Sequence, residues 1–415
     1  MESFSPASQR FFISNSAHPC TEIALDANRI RAFYLANGWA ETTNPEEADD
    51  IVVSTCAYNQ HYEDAALADL QLRSRQRKPG SRLISTGCFS KINPAAFQQV
   101  AEATAIPPLE LKRFDELISA KVSIEQLVGN TIRFQEYQSN PTFARLVWIK
   151  GKMQKLSLKV GLDLVPHWMA TFPTPDWYFI RGAVGCRGRC TYCAIRRAKG
   201  GLISTPMNII LRQQQEAVRQ GTQEISLAGD DMGAWGTDIG SDLAELLAAM
   251  VALPGNFRIN LRFVEPFFFI RLIDKLIPVF ATGKISAFSL PIQSGSNHIL
   301  EKMGRDYTIE ELEKALSILA TISRRPRLAS IIMVGFPGET EDDFQKSCQL
   351  VDRLPIDFYQ VLSYEGRPNT PSISMPDQVP ETLKQRRNEQ LLRKFKLQKV
   401  VGLPVSLANR LAGLP

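Results

Sequence analysis

Nowhere do the 415 residues run 18 apolar positions without a charge, and no apolar stretch follows a basic start in the opening "MESFSPASQRFFISNSAHPC". The first absence excludes a membrane-spanning helix and the second a secretion signal, so a cytoplasmic protein with no membrane partner is expected. Charge of one sign is also scarce: 48 Lys and Arg against 43 Asp and Glu leave only +5. Four histidines and no Ser-His-Asp pattern or phosphate-binding loop argue against the common hydrolase and nucleotide-hydrolysing chemistries. Cysteine is rare and odd in number, seven in all, which without a secretion signal points to metal ligation or free thiols and not to a disulfide scaffold. Apolar residues are plentiful at 44%, enough for a chain of this length to fold as two or three domains.

Three of the seven cysteines fall in "GCRGRCTYCAIRRAKG" (185–200), as Cys186, Cys190 and Cys193. A structural zinc site wants four ligands, usually as two C-x2-C pairs, so C-x3-C-x2-C is incomplete for zinc. A [4Fe-4S] cluster held by three thiolates fits better, and it leaves one iron free to bind something else.

The first hundred residues alternate strand and helix patterns. "RFFIS" (10–14), "DIVVST" (50–55) and "RLIST" (82–86) read as strands, with helices over 21–38 and from 56 through Arg77, which predicts a parallel α/β sheet. Cys20, Cys56 and Cys88 each come just after one of these strands. Parallel strands bring their C-terminal loops to one rim, where open α/β sheets bind ligands, so the three thiols are expected to converge; singly, each could be a small buried core residue. "FDELISAKVSIEQLVGN" (114–130) reads as a helix closing this domain, and "TFPTPDW" (171–177) as a proline-punctuated linker. From Trp177 six further strand candidates (177–185, 224–229, 259–265, 287–293, 327–336 and 357–364) alternate with helices, which predicts a partial (β/α)6 barrel with function at the C-terminal strand ends. The reading divides the chain into an N-terminal α/β domain (1–130), a connector (131–176), the partial barrel (177–380) and a basic helix and tail (381–415). The basic stretches 71–78 and 383–399 read as solvated helix faces, with phosphate contact as the alternative. Cys348 reads as a core residue, and His18 as a loop residue with cluster tuning as the alternative.

"GCRGRCTYC", "SLAGDDMGAWGTDIG", "LPIQSGSNHILEKMGRDYT", "MVGFPGETEDDFQ" and "MPDQVP" follow in order, and the chain from about residue 10 to 400 resembles the radical S-adenosylmethionine methylthiotransferases. The resemblance implies two [4Fe-4S] clusters. One, on Cys186, Cys190 and Cys193, would bind S-adenosylmethionine at its open iron and generate a radical able to take hydrogen from an unactivated carbon. The other, an auxiliary cluster on Cys20, Cys56 and Cys88, would carry the sulfur that is transferred with a methyl group. Gly229, Asp230, Glu265, Gln293, Ser294, Gly335, Pro337, Gly338 and Glu339 occupy the strand-end motifs where contacts to the cofactor are expected. For Glu339 the alternative is the start of the next helix, and for Gln293 and Ser294 capping of the helix near Asn297. An electron donor such as flavodoxin or ferredoxin is implied as a partner.

The chain departs from the family pattern at several places. Asp230 stands where many members carry glutamine, and with "GAWGTDIG" it resembles the branch acting on threonylcarbamoylated adenosine in tRNA. Arg196 replaces a proline, Lys199 an arginine, and Ile23 a polar residue. The sequence ends at "VVGLPVSLANRLAGLP", without the small β-barrel that follows in typical members. On that ground a peptide or small-molecule substrate is expected, with tRNA as the alternative. Other sulfur insertion or electron transfer on the same architecture, or a zinc-loaded RNA-binding module without catalysis, are the remaining readings.

Overall fold

The computed structural model describes residues 9–14, 20–100, 102–127, 129, 131–133, 141–160, 177–400 and 404–414. His18 and most of the 171–177 linker lie outside them.

Five strands form the first sheet: β1 (Arg10–Ser14), β2 (Ala40–Glu41), β3 (Asp50–Thr55), β4 (Arg82–Gly87) and β5 (Ala103–Ile106). They are ordered β2-β1-β3-β4-β5 and every pairing is parallel. The central strand β3 is buried at all six positions, as expected of a parallel strand covered on both faces, which is why "DIVVST" reads as an unbroken apolar run. The helices Thr21–Ala36 and Gln60–Gln76 make the crossovers. Phe11, Phe33, Tyr34 and Phe114 pack as one aromatic cluster on the side of the first helix. The stretch 114–130 is not the single helix its pattern predicts. It breaks into Arg113–Leu117 and a 3-10 turn Ile124–Gln126, because Asp115 accepts from the Ser123 hydroxyl (2.6 Å) and the Ile124 amide (2.8 Å) and folds the chain back.

The second sheet holds β6 (Thr131–Arg133), β7 (Trp177–Val184), β8 (Ile203–Ser204), β9 (Glu224–Gly229), β10 (Arg258–Leu261), β11 (Ile285–Gln293), β12 (Arg327–Val334) and β13 (Phe358–Ser363). Its order is β13-β12-β11-β10-β9-β7-β6, with β8 beside β7. Six strands, β7 and β9 to β13, run parallel, and β6 and β8 are antiparallel additions. β10 is shorter than its sequence pattern: Phe263 takes φ +58°, and the Phe263 and Val264 amides turn to the hydroxyl and carbonyl of Ser289. The main core lies between these strands and their outer helices, where Phe269, Phe280 and Phe288 stack. Cys348 is buried in it. The basic helix Glu381–Phe395 lies on β13 with Leu391 and Phe395 inward, and its Arg387 and Lys394 are buried in ion pairs with Glu339 and Asp352. No described helix is long and apolar enough to cross a membrane.

Buried arginines join the two sheets. Arg181 on β7 meets Glu22 and Asp26 of the first helix, both at 2.8 Å. Arg367, beyond β13, pairs with Glu63 of the second helix and reaches Glu365 at 3.1 Å. These contacts set the C-terminal edge of one sheet against that of the other.

Candidate active site

Thr55 and Gly87 are the last paired residues of β3 and β4, so Cys56 and Cys88 leave neighbouring strands side by side. The Cys88 amide donates to the Thr55 carbonyl at 3.1 Å. Gly87 makes this possible: it takes φ +101°, and the Thr55 backbone occupies the space a Cβ would need. Cys20 is the N-cap of the helix after β1, the strand on the other side of β3. Burial pushes the Cys56 thiol up to about 12, and Cys20 adds to the effect. Burial also raises Cys88, opposed by the Lys199 ammonium and reinforced by Cys56 and Cys20. The three thiols therefore lie within electrostatic reach of one another. Raised thiols are poor nucleophiles, but a metal centre displaces their protons, so this environment fits ligands better than a reactive cysteine.

The second trio sits in the loop after β7. A Cβ on Gly188 would stand 3.1 Å from Cys186 Sγ and 3.7 Å from Cys190 Sγ, so the loop wraps both sulfurs around a residue with no side chain. The Gly188 amide donates to Cys186 Sγ (3.1 Å). Thr191 pins the loop by donating its amide to Met303 O (2.9 Å) and its hydroxyl to Lys302 O (2.8 Å). Burial and then the Asp231 carboxyl, 3.4 Å from the sulfur, push the Cys186 thiol upward. Arg305 approaches Cys190 Sγ at 3.5 Å and Glu265 at 3.6 Å, bringing a permanent cation to where thiolate charge would gather. Among the described residues no three Cys, His, Asp or Glu side chains close around the position of a single ion. Each trio supplies three thiols, the number that holds a [4Fe-4S] cube with one iron left open.

A cavity of about 350 Å³ is walled by both sheets: Ala57 and Tyr58 follow Cys56, while Tyr192, Cys193, Gln293 and Met333 come from the barrel. Its size is that of a small-molecule site. Gln293 ends β11 at φ +77°, a conformation that is strained for glutamine, and its buried Oε1 has no hydrogen-bond partner among the described residues. Strain and an orphaned acceptor thus coincide in one cavity-lining residue. Tyr58 is 51% exposed. Partial burial, then Cys193 and Cys56, raise its phenol to about 12.

The other anticipated contact residues are more inward-looking. Asp230 receives Lys199 Nζ on one oxygen (2.8 Å) and the Gly185 amide on the other (2.9 Å). Gly229 lets β9 close on β7, since a Cβ there would meet Ala183 O at 2.8 Å. Ser294 is fully buried against Ser347 and accepts from the Ser296 amide (3.2 Å). Glu265 caps its helix through the Phe267 amide (2.6 Å) and lines a second cavity beside Cys190. In the turn Gly335-Phe336-Pro337-Gly338, Glu339 folds back onto the Gly335 amide (2.6 Å) and Arg387 (2.8 Å), while Gly338 donates to Asp377 O (2.8 Å). The next helix is capped by Thr340, so Glu339 does not start it. Burial raises the Glu339 carboxyl to about 7 in spite of these donors. Tyr58, Tyr192, Asp231, Arg305 and Arg367 had not been singled out from sequence. Tyr192, within "GCRGRCTYC", Asp231, beside Asp230, and Arg305, within "EKMGRDYT", sit in stretches that could flag them.

Two family descriptions match the chain: the Radical SAM superfamily over residues 180–351 and the uncharacterized protein family UPF0004 over 16–106. A Pyrococcus horikoshii protein named "Probable threonylcarbamoyladenosine tRNA methylthiotransferase" is 31% identical over 391 residues, covering 94% of this chain and 84% of that protein. The chain belongs to the radical S-adenosylmethionine methylthiotransferases. Among other relatives, the threonylcarbamoyladenosine tRNA methylthiotransferase of Thermotoga maritima is 29% identical over 83% of this chain and 73% of its own length. The ribosomal protein uS12 methylthiotransferase of Chlamydia abortus is 27% identical over 89% and 75%. Among solved structures, the radical S-adenosylmethionine methyltransferase TsrM of Kitasatospora setae has the same fold, with a TM-score of 0.60 at 13% identity over 88% of this chain and 77% of that one. This methylthiotransferase is thus a radical S-adenosylmethionine enzyme whose cofactors are S-adenosylmethionine and [4Fe-4S] clusters.

Proposed function

We propose that this methylthiotransferase acts on threonylcarbamoyladenosine in tRNA, and that its two cysteine trios divide the work. The carrying observation is the cavity walled by both sheets, with Cys193 of the barrel trio on one side and Ala57 and Tyr58, the two residues after Cys56, on the other. The names of the relatives at 31% and 29% identity support the tRNA substrate over the peptide or small molecule expected from sequence.

Cys186, Cys190 and Cys193 would hold one cluster, and Cys20, Cys56 and Cys88 the other. When bound, the clusters and S-adenosylmethionine supply an electron, a hydrogen-abstracting radical and the sulfur. The protein's part is to hold and shield. Arg305 offsets thiolate charge at Cys190, and Lys199 does the same toward Cys88 and Cys20. Gln293 offers its unpartnered amide oxygen to a donor on the cofactor. The exposed ring of Tyr58 offers a flat face on which a base can stack, and such stacking contributes about 1–3 kcal/mol. The walls exclude water from the reacting carbon.

The test is anaerobic reconstitution with S-adenosylmethionine, reductant and tRNA carrying threonylcarbamoyladenosine, with mass spectrometry of the nucleosides. Alanine at Cys20, Cys56 and Cys88 together is expected to keep 5'-deoxyadenosine release and abolish methylthio incorporation. Alanine at Cys186, Cys190 and Cys193 is expected to abolish both. Loss of nucleoside release from a folded variant of the first kind would refute the division. Modification of a peptide, with tRNA left untouched, would refute the substrate.

A further inference from the structure

The barrel trio borders two cavities. Cys193 lines the one shared with the N-terminal sheet, whereas Cys190 lines a second, of about 580 Å³, to which no described residue of that sheet contributes. The rim of this second cavity is basic. Arg187 and Arg189 stand exposed in the cysteine loop, and Arg271 stands exposed on the helix Pro266–Ala281, its guanidinium 4.0 Å above the Phe267 ring. None of the three forms an ion pair among the described residues. Acids are present too, but Asp231 is buried against Cys186 and Glu265 faces Arg305, which leaves Asp306 as the exposed carboxylate.

We propose that this face docks the protein that delivers electrons, an acidic one-electron carrier. The inference rests on the reading that the Cys186, Cys190 and Cys193 trio holds a redox centre. An RNA substrate must meet both trios, which the second cavity does not allow; an electron carrier needs only the barrel trio, which Cys190 presents there. Carboxylates around the carrier's own cofactor would meet three exposed arginines that form no ion pair among the described residues, and such matching mainly speeds encounter. Each encounter oxidises the carrier by one electron and reduces the barrel centre by one, with no bond made or broken.

The experiment mixes reconstituted holoenzyme with photoreduced flavodoxin and follows cluster bleaching by stopped flow. Flavodoxin affinity is measured in parallel by quenching of its flavin fluorescence, and dithionite serves as the small reductant. Arg271→Glu is expected to slow flavodoxin-driven reduction about tenfold at low ionic strength and to weaken quenching, with the deficit shrinking as salt rises. Dithionite-driven reduction should stay within about twofold of wild type, since a small reductant needs no docking face. Arg187→Glu with Arg189→Glu should add to the effect; where those loop changes lower iron content, Arg271→Glu decides. Unchanged flavodoxin kinetics in Arg271→Glu would overturn the proposal, as would a selective loss of tRNA affinity, which would make this an RNA face. A wild-type centre that dithionite itself fails to reduce would overturn the reading beneath it, and the docking face with it.

Discussion

The two cysteine trios are assembled by opposite routes. Cys186, Cys190 and Cys193 lie within one loop, shaped by Gly188 and pinned by Thr191. Cys20, Cys56 and Cys88 come from three loops and meet only because β1, β3 and β4 are neighbours in register. A local turn therefore gathers the first set and sheet pairing the second. Their surroundings differ as well: the loop set has Asp231 and Arg305 at its sulfurs, whereas in the sheet set Cys56 and Cys88 are buried, Cys20 partly so, and the Lys199 ammonium acts on Cys88 and Cys20. Perturbing the sheet or its contact with the barrel should thus disturb the N-terminal set first.

The largest effect is expected at Arg181, which ties β7 to Glu22 and Asp26 one turn or two after Cys20. Arg181→Met leaves two buried carboxylates without their cation, and breaking such a pair costs about 3–5 kcal/mol. Thermal unfolding should show that loss. In the folded fraction, iron bound per chain should fall toward about half, with the four atoms of the barrel cluster retained. Equal loss from both trios would erase the contrast drawn between them.

How much of this was legible in the sequence follows the same division. The spacing of the barrel trio is written in eight residues, and the six parallel strands with their helices announce themselves by periodicity. Cys56 and Cys88 were readable because "DIVVST" and "RLIST" mark the strands whose ends they follow; their side-by-side exit needed the Thr55 and Gly87 register. Gln293 sat in a readable motif, but its positive φ and orphaned oxygen are tertiary facts. Ser294 and Glu339 lie in equally readable motifs, yet they bond to Ser296 and to Gly335 and Arg387, partners that local pattern does not specify. Arg367 is separated by 304 positions from Glu63, and no local signal joins them.

A smaller effect is expected at Lys199. Two departures from the family pattern, Lys199 and Asp230, turn out to be partners, buried and 2.8 Å apart. Lys199→Arg keeps the charge and should leave stability within about 1 kcal/mol. Lys199→Met strands Asp230, although the Gly185 amide still serves one oxygen, so roughly 3 kcal/mol is expected, the low end for such pairs. Removing a cation near Cys88 and Cys20 should also shift the reduction potential of the N-terminal centre to more negative values, and leave the barrel centre less affected. Spectroscopic redox titration of the two variants checks this; equal shifts at both centres would show that Lys199 serves them alike.

The smallest effect lies away from both trios, at Asp343. Burial pushes its carboxyl up, but hydrogen bonds from the Ser296 hydroxyl (2.5 Å), the Thr340 hydroxyl (2.7 Å) and the Thr340 amide (3.0 Å) outweigh it and hold the group at about 2. A depressed acid binds fewer protons folded than unfolded, so its stabilisation is present above the ordinary aspartate range and is lost as pH falls toward 2. The contribution is on the order of 1–2 kcal/mol. Asp343→Asn should therefore flatten the acid limb of the stability curve between about pH 4 and 2, read by denaturant unfolding at each pH. Because Ser296 stands three residues after Gln293, the same variant should loosen the strained turn there and raise the KM for S-adenosylmethionine while leaving iron content at both trios intact. A fall in iron content would mean that this turn supports the barrel centre as well as the cavity wall.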